Sequence, residues 1–407
     1  MYDYDRRRNF GPLILGVLAV LFLVAVVQMV RGAPDPEYTV TFPASSPLGD
    51  ARQPLLPEAG ASIVAVNGLG ILGSAGSDEQ RPIASITKMM TAYVLLKDHP
   101  LAPGETGPII ELTVADEERW LEMLAQDQSS LPVFAGQRLT QLQLLEGLLV
   151  PSANNYAEIL AAWDAGSVSA FVAKMNAEAR ALGMLNTTYT DTSGFSSATV
   201  STPADQLILA RTAMQDPVFA STVRLEEITI PGVGPASAVN LLLGVDGVVG
   251  IKTGFTEEAG GNLAFAAIRD IGGQQVDVYG VVLGQGDGVD GFESRQAAFN
   301  AAQTVLASLE SGLEYRLVLS ARQPIATVST DWGDDVNLVL TEDVQLLSWP
   351  GITMETSVEV EDISSGKAAG EQVGWVNVIL GEQARRLPLV LADDVDGPGI
   401  IWRLTRF

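Results

Sequence analysis

Ser85 and Lys88 stand three residues apart in the segment 81–96, RPIASITKMMTAYVLL. Ile83, Ile86, Met90, Val94 and Leu95 recur there at helical spacing, so the two polar side chains project from one face of the predicted helix. A hydroxyl beside an amine one turn later is a candidate nucleophile with its base. The pattern S-x-x-K is common, and a second copy, Ser364 to Lys367, lies in a glycine-rich stretch with no helical periodicity. Two further groups give the first copy its weight. Ser152-Ala153-Asn154 follows an apolar helix predicted over 139–150, and Lys252-Thr253-Gly254 ends a short strand predicted over 248–253. Singly, Ser152 reads as a helix cap, Asn154 as a turn residue and Lys252 as an exposed strand end. Together they point to chemistry at an activated serine.

Composition narrows how that serine is activated. The chain has no cysteine, which removes a thiol nucleophile, a thiolate metal site and any disulfide. Its one histidine, His99, sits in a Lys-Asp-His-Pro turn and reads as an exposed residue, not the base of a Ser-His-Asp triad. Lysine is left as the leading base. A free lysine titrates near ~10.4, so Lys88 must be depressed by roughly 3 units, about 4 kcal/mol, to accept a proton at neutral pH. Burial and a second cation, Lys252, both push in that direction. The net charge of −25 lacks the basic footprint of a nucleic-acid partner and reads as a solubilising surface. No metal or organic cofactor is implied.

The elements that must position these residues follow in order. Arg6, Arg7 and Arg8 precede about 20 uncharged residues, 11–30, enough to cross a bilayer as a helix. The arginines place the N-terminus in the cytoplasm and the rest of the chain outside, with an uncleaved anchor favoured over a cleaved signal peptide. Residues 1–31 are therefore tail and anchor, and the Pro- and Ser-rich stretch 32–60 reads as a linker. From 61 to 313 the pattern is paired strands (62–66 and 71–72), a strand-bearing segment over 104–114 and a short helix over 116–124. Helices over 139–150 (N-cap Thr140), 156–164, 168–182 (Gly183 just past its end) and 203–214 come next, followed by strands at 228–230, 248–253, 263–268 and 276–284. A helix over 293–309 has Ala298, Ala301, Val305 and Leu309 on one face. This is an α+β pattern, an antiparallel sheet packed on a helical cluster. Alternating stretches at 336–340, 353–360, 373–380, 387–391 and 400–403 predict a small all-β domain over 314–407.

The three groups, in this order, resemble the active-site set of penicillin-binding proteins and serine β-lactamases. LLVPSANNYAEILAAWDAGS, FVAKMNAEARALGMLNTTYTDTSGF and GVDGVVGIKTGFTEEAGGNLAFAA resemble the low-molecular-weight D-alanyl-D-alanine carboxypeptidases over 61–313, and SSGKAAGEQVGWVNVIL more weakly resembles that family's second, all-β domain. The resemblance implies a transpeptidase-type fold and hydrolysis of the terminal D-Ala–D-Ala bond of peptidoglycan stem peptides, with β-lactam antibiotics as inhibitors. It implies Ser85 as nucleophile, Lys88 as base and Ser152 as proton relay to the leaving amine. Asn154 would hold Lys88 and a substrate amide, and Lys252 and Thr253 the terminal carboxylate. Gly254 would allow close approach of the strand, and the N–H groups of Ser85 and Phe255 would form the oxyanion site, where one donor is worth ~3 kcal/mol.

Two departures from the family stand out. Asn155 replaces the acidic residue often found after the asparagine, which bears on substrate contacts. The C-terminal amphipathic membrane helix common in the family is not evident up to Phe407, leaving anchorage to the N-terminal segment. Two other readings stay open: a β-lactamase, for which no E-x-x-L-N stretch lies between Asn155 and Lys252, and an inactive wall-binding or sensor protein of the same fold. Trp120, Trp163 and Tyr156 are expected in the core or at its rim, and Glu178 on a solvated helix face.

Overall fold

Five strands, two before the helical cluster and three after it, build the central sheet. They are β1 (Ala61–Val66), β2 (Gly70–Ala75), β3 (Val248–Thr256), β4 (Gly260–Ile271) and β5 (Gln274–Gln285), arranged β3-β4-β5-β1-β2 with every pair antiparallel. Gly272 and Gly273 join β4 to β5 with φ of 62° and 85°, the two left-handed residues that a tight hairpin turn needs. In β4, Ala264 and Ala266 enter the core shared with the helices, while their neighbours Leu263 and Phe265 are equally buried. Both faces of the sheet are thus covered, which explains its continuous apolar runs. The computed structural model describes residues 10–286, 290–361 and 363–406; Arg6, Arg7 and Arg8 lie outside the described residues.

The helical cluster contains α1 (Lys88–Asp98), α2 (Gln141–Leu149), α3 (Asn154–Ala165), α4 (Val168–Ala181) and α5 (Pro203–Ala213), and α6 (Gly291–Leu309) follows the sheet. Thr140 caps α2 through a reciprocal pair with Gln143, satisfying donors that would otherwise be orphaned at the helix start. Met89, Met90 and Leu95 of α1 are fully buried, as are Leu144, Leu145 and Leu148 of α2 and Tyr156 of α3. Trp120 and Trp163 pack against this core as partly buried residues. On α6 the predicted stripe Ala298, Ala301, Val305 and Leu309 is buried. A side chain at Gly261 would meet the Ser294 carbonyl at 1.9 Å, so glycine is what lets α6 lie directly on β4.

The chain divides into two units, one of residues 50–314 with 347–350, the other of 1–49, 315–346 and 351–407. The second contains a seven-stranded antiparallel sheet, in the order Glu37–Val40, Pro324–Ser329, Val336–Val339, Gln383–Leu391, Gln372–Leu380, Thr353–Val360 and Ser45–Pro47. Two expectations are corrected here. The stretch 32–60 is not merely a linker, because two of its segments are edge strands of this sheet. The run Tyr38-Thr39-Val40 has strand-forming side chains that outweigh the flanking prolines once a partner strand lies alongside. Ile400–Thr405 is a short helix, not a strand. Four alternating residues fit one helical turn equally well, and the Arg403 N–H closes such a turn on the Gly399 carbonyl.

That helix meets the C-terminal end of the apolar helix Gly11–Val30, none of whose residues is buried. Arg403 donates to the Met29 carbonyl, and Arg406 to those of Gln28, Arg31 and Gly32. Two guanidinium groups therefore serve carbonyls in and just beyond the last turn, where a helix has no acceptor partners of its own and carries negative partial charge.

Candidate active site

The approach to Ser85 is set by a short pairing of Arg81–Pro82 with Val200–Ser201. The backbone then turns through Ala84 at φ 46°, and Ala84–Thr87 form a 3₁₀ turn from which α1 begins at Lys88. The sequence predicts a continuous α-helix; the tighter turn differs in a way that favours contact. Side chains at i and i+3 eclipse in a 3₁₀ turn. Lys88 Nζ accordingly lies 2.7 Å from Ser85 Oγ.

Lys88 is wholly buried, and its Nζ also donates to Asn154 Oδ1 at 2.7 Å and to the Ser193 carbonyl at 3.2 Å. Burial first, and the charge of Lys252 second, hold its pKa well below the ordinary lysine range, against the opposing pull of the Asp191 carboxylate. A neutral amine has two N–H bonds and one lone pair. With both N–H groups taken by carbonyls, the lone pair is left for the Ser85 hydroxyl, whose proton it can accept. Lys252 is buried too; desolvation pushes its pKa down to about 7, and its Nζ donates to the Thr253 carbonyl at 3.2 Å.

Two close approaches bring the pieces together. A side chain at Gly254 would lie 2.9 Å from both the Ile83 carbonyl and the Ser85 nitrogen, so glycine lets β3 sit directly against the turn that carries Ser85. The sequence suggests that Gly254 makes room for a ligand; its nearest neighbour is in fact this turn. At Gly194, φ 77°, a side chain would fall 1.8 Å from the Ala84 carbonyl. Asp191 pins that loop by accepting from Thr199 Oγ1 (2.6 Å) and the Phe195 N–H (2.8 Å).

Ser85 and Phe255 lie between two adjoining cavities. The first, about 430 Å³, is also lined by Ser152, Thr253 and Gly254 together with Leu241, Phe292 and Arg295. Ser152 is buried and stands at φ 69°, in the left-handed region like Ala84 and Asp127. The Arg295 guanidinium sits 5.4 Å from the Phe255 ring centre. The second cavity, about 520 Å³, holds Asn154, Gln128 and Ser129 with the acidic Asp127, Glu257 and Glu258. Ser85, Ser152, Asn154, Thr253 and Gly254 line these cavities, Lys88 is bonded to Ser85 and Asn154 behind them, and Lys252 lines neither cavity but lies near enough for its charge to act on Lys88. Arg295 and Gln128 are additions that no short motif marks, since they arrive from α6 and from the turn beyond Val114–Ala125.

Other expectations are revised. Asn155 binds no part of the cleft; its side chain donates to the Leu131 carbonyl and accepts from the Leu131 N–H, fastening the segment that carries Ser129. His99 is a partnered, half-buried residue, with Nε2 2.9 Å from Asp164 Oδ1 and its ring 4.2 Å from that of Trp163. Glu178 is largely covered and paired with Lys97 at 2.7 Å. In the second S-x-x-K copy Lys367 pairs with Glu371 instead of a serine.

Fold and site together fit the serine-type hydrolases that work through an acylated serine. Residues 51–286 match the family model of the D-alanyl-D-alanine carboxypeptidases, and the chain belongs to that family. It is 31% identical over 229 residues to a D-alanyl-D-alanine carboxypeptidase of Streptomyces sp. (strain K15), covering 52% of this chain and 76% of that one. A D-alanyl-D-alanine endopeptidase of Pseudomonas aeruginosa is 33% identical over 231 residues, 53% of this chain and 70% of the relative. The crystal structure of penicillin binding protein 5 from Haemophilus influenzae superposes with a TM-score of 0.59 over 85% of this chain and 99% of its own, a likeness of fold at 23% identity.

Proposed function

We propose that the protein is a membrane-anchored serine D-alanyl-D-alanine carboxypeptidase that removes the terminal D-alanine from peptidoglycan stem peptides. Ser85 attacks the penultimate carbonyl as Lys88 takes its proton, and the N–H groups of Ser85 and Phe255 receive the developing oxyanion. Ser152 passes a proton to the departing D-alanine amine, leaving an acyl-enzyme on Ser85 that water then cleaves. Lys252, Thr253 and Arg295 hold the substrate's terminal carboxylate, and Asn154 positions Lys88 and a substrate amide. A β-lactam presents a carboxylate and a strained amide to the same groups, so it acylates Ser85.

The observation that carries this reading is the hydrogen-bond inventory at Lys88: buried, two carbonyl acceptors, and Ser85 Oγ at 2.7 Å. We assign the chemistry to 61–313. The apolar helix Gly11–Val30 supports a single membrane crossing, with residues 1–10 cytoplasmic and the catalytic unit on the outer face. The test is release of free D-alanine from a peptide ending in D-Ala-D-Ala by the detergent-solubilised full chain. Turnover that disappears in Ser85→Ala and Lys88→Met supports the carboxypeptidase. Undiminished turnover in either variant, or none in the wild type, overturns it.

A further inference from the structure

Asn154 has a side chain whose shape barely changes when its oxygen and nitrogen exchange places, yet the chemistry at Lys88 depends on which faces it. With Oδ1 toward Lys88, the amine spends an N–H on it and keeps its lone pair for Ser85. With Nδ2 there instead, the amide N–H would compete with the Ser85 hydroxyl for that lone pair. The backbone does not decide between them, because the Asn154 N–H is bonded to the Ser129 carbonyl at 2.7 Å in either case.

What decides is the far side of the amide. Asn154 Nδ2 donates to Gln128 Oε1 at 2.9 Å. Gln128 is largely buried, its backbone N–H bonds to the Met123 carbonyl at 3.0 Å, and its own Nε2 donates to Gln126 Oε1 at 2.8 Å. Each amide in the series Gln126, Gln128, Asn154 thereby presents oxygen to the next donor, and the series ends at Lys88. A turned Asn154 would set its oxygen against Gln128 Oε1, two acceptors without a proton between them. Building on the Ser85–Lys88 reading above, we propose that Gln128 is a positioning residue that fixes the Asn154 amide so that the Lys88 lone pair meets the Ser85 hydroxyl.

The test compares Gln128→Met, which keeps length and removes the acceptor, with Gln128→Glu, which keeps the acceptor. The readout is the second-order rate of benzylpenicillin acylation of the full chain in detergent, followed by intact mass from pH 5 to 9, with melting temperature alongside. Gln128→Met should acylate about 10-fold more slowly at all pH values, the effect of one misdirected hydrogen bond, with an unchanged melting temperature. Gln128→Glu should reach the wild-type rate at high pH. Its acid limb should move upward, because a new carboxylate joins Asp191 in favouring the charged amine against Lys252. In an Asn154→Ala background, Gln128→Met should have no further effect.

Gln128→Met at the wild-type rate would overturn the proposal. So would equal losses in both variants with lowered melting temperatures, or a loss that persists undiminished in the Asn154→Ala background, since either would make Gln128 merely a structural turn residue. Failure of the parent reading shows separately, as a wild type that forms no adduct or one that Ser85→Ala retains.

Discussion

Two buried lysines share one site, and their titrations are linked. In the proposed reaction Lys88 is neutral to take a proton and Lys252 charged to hold a carboxylate, so the productive form carries one proton across the pair, on Lys252. For the free enzyme, kcat/KM should therefore rise with pH as Lys88 loses its proton and fall again as Lys252 does, at about 7. A bound carboxylate favours charged Lys252, so the falling limb should lie at higher pH in kcat than in kcat/KM. Coincident limbs in the two profiles would contradict the assignment of Lys252. Stability has its own sign. A lysine depressed to about 7 when folded and titrating near ~10.4 when unfolded leaves the unfolded chain holding more protons between those values. Stability should rise with pH across that window, by roughly 5 kcal/mol from Lys252. Lys252→Met should melt higher than the wild type at pH 7 while losing activity, and thermal melts from pH 7 to 10 should show the gap shrinking. At this scale the sequence was informative, because the three groups name Ser85, Lys88, Ser152, Asn154, Thr253 and Gly254, which the fold gathers around one cleft. It was silent on Gln128 and Arg295, whose positions depend on turns and helix placement far along the chain.

At the scale of elements, the site depends on backbones meeting where a side chain would not fit. Gly254→Ala would place a methyl 2.9 Å from the Ile83 carbonyl and the Ser85 nitrogen, and 3.1 Å from the Ile86 nitrogen. The strand or the turn carrying Ser85 must shift by some tenths of an ångström; a misplacement of about 1 Å costs about 100-fold, so a loss of about 10-fold is expected. Penicillin acylation by Gly254→Ala should fall accordingly, with circular dichroism showing an intact fold; a wild-type rate would show that the contact is yielding. The helices α1, α2 and α6 were legible because long periodic stretches with caps have few alternative readings. The 3₁₀ start at Ala84 was not, since Ile83 and Ile86 suit either helix, and nothing in Pro151-Ser152 announces a left-handed serine. The strand Glu37–Val40 escaped notice because its partner, Pro324–Ser329, lies in the last quarter of the chain. A pattern that short gains meaning only from what it pairs with.

At the scale of the whole molecule, the proposed catalytic residues all fall within the unit of 50–314, while the apolar helix Gly11–Val30 belongs to the other. Removing residues 1–32 should move the protein from the membrane fraction to the soluble fraction while leaving its penicillin acylation rate within about 2-fold, because no group that shapes the Lys88 pKa is lost. Fractionation with an acylation assay would check both halves, and a truncated protein that stays with the membrane would show that other parts hold it there. The central claim is that Ser85 is the group acylated, and intact mass after exposure to benzylpenicillin tests it most directly. The wild type should gain one lasting penicilloyl adduct, and Ser85→Ala should gain none. An adduct of equal yield on Ser85→Ala, or a wild type that neither retains nor hydrolyses the drug, would contradict the account.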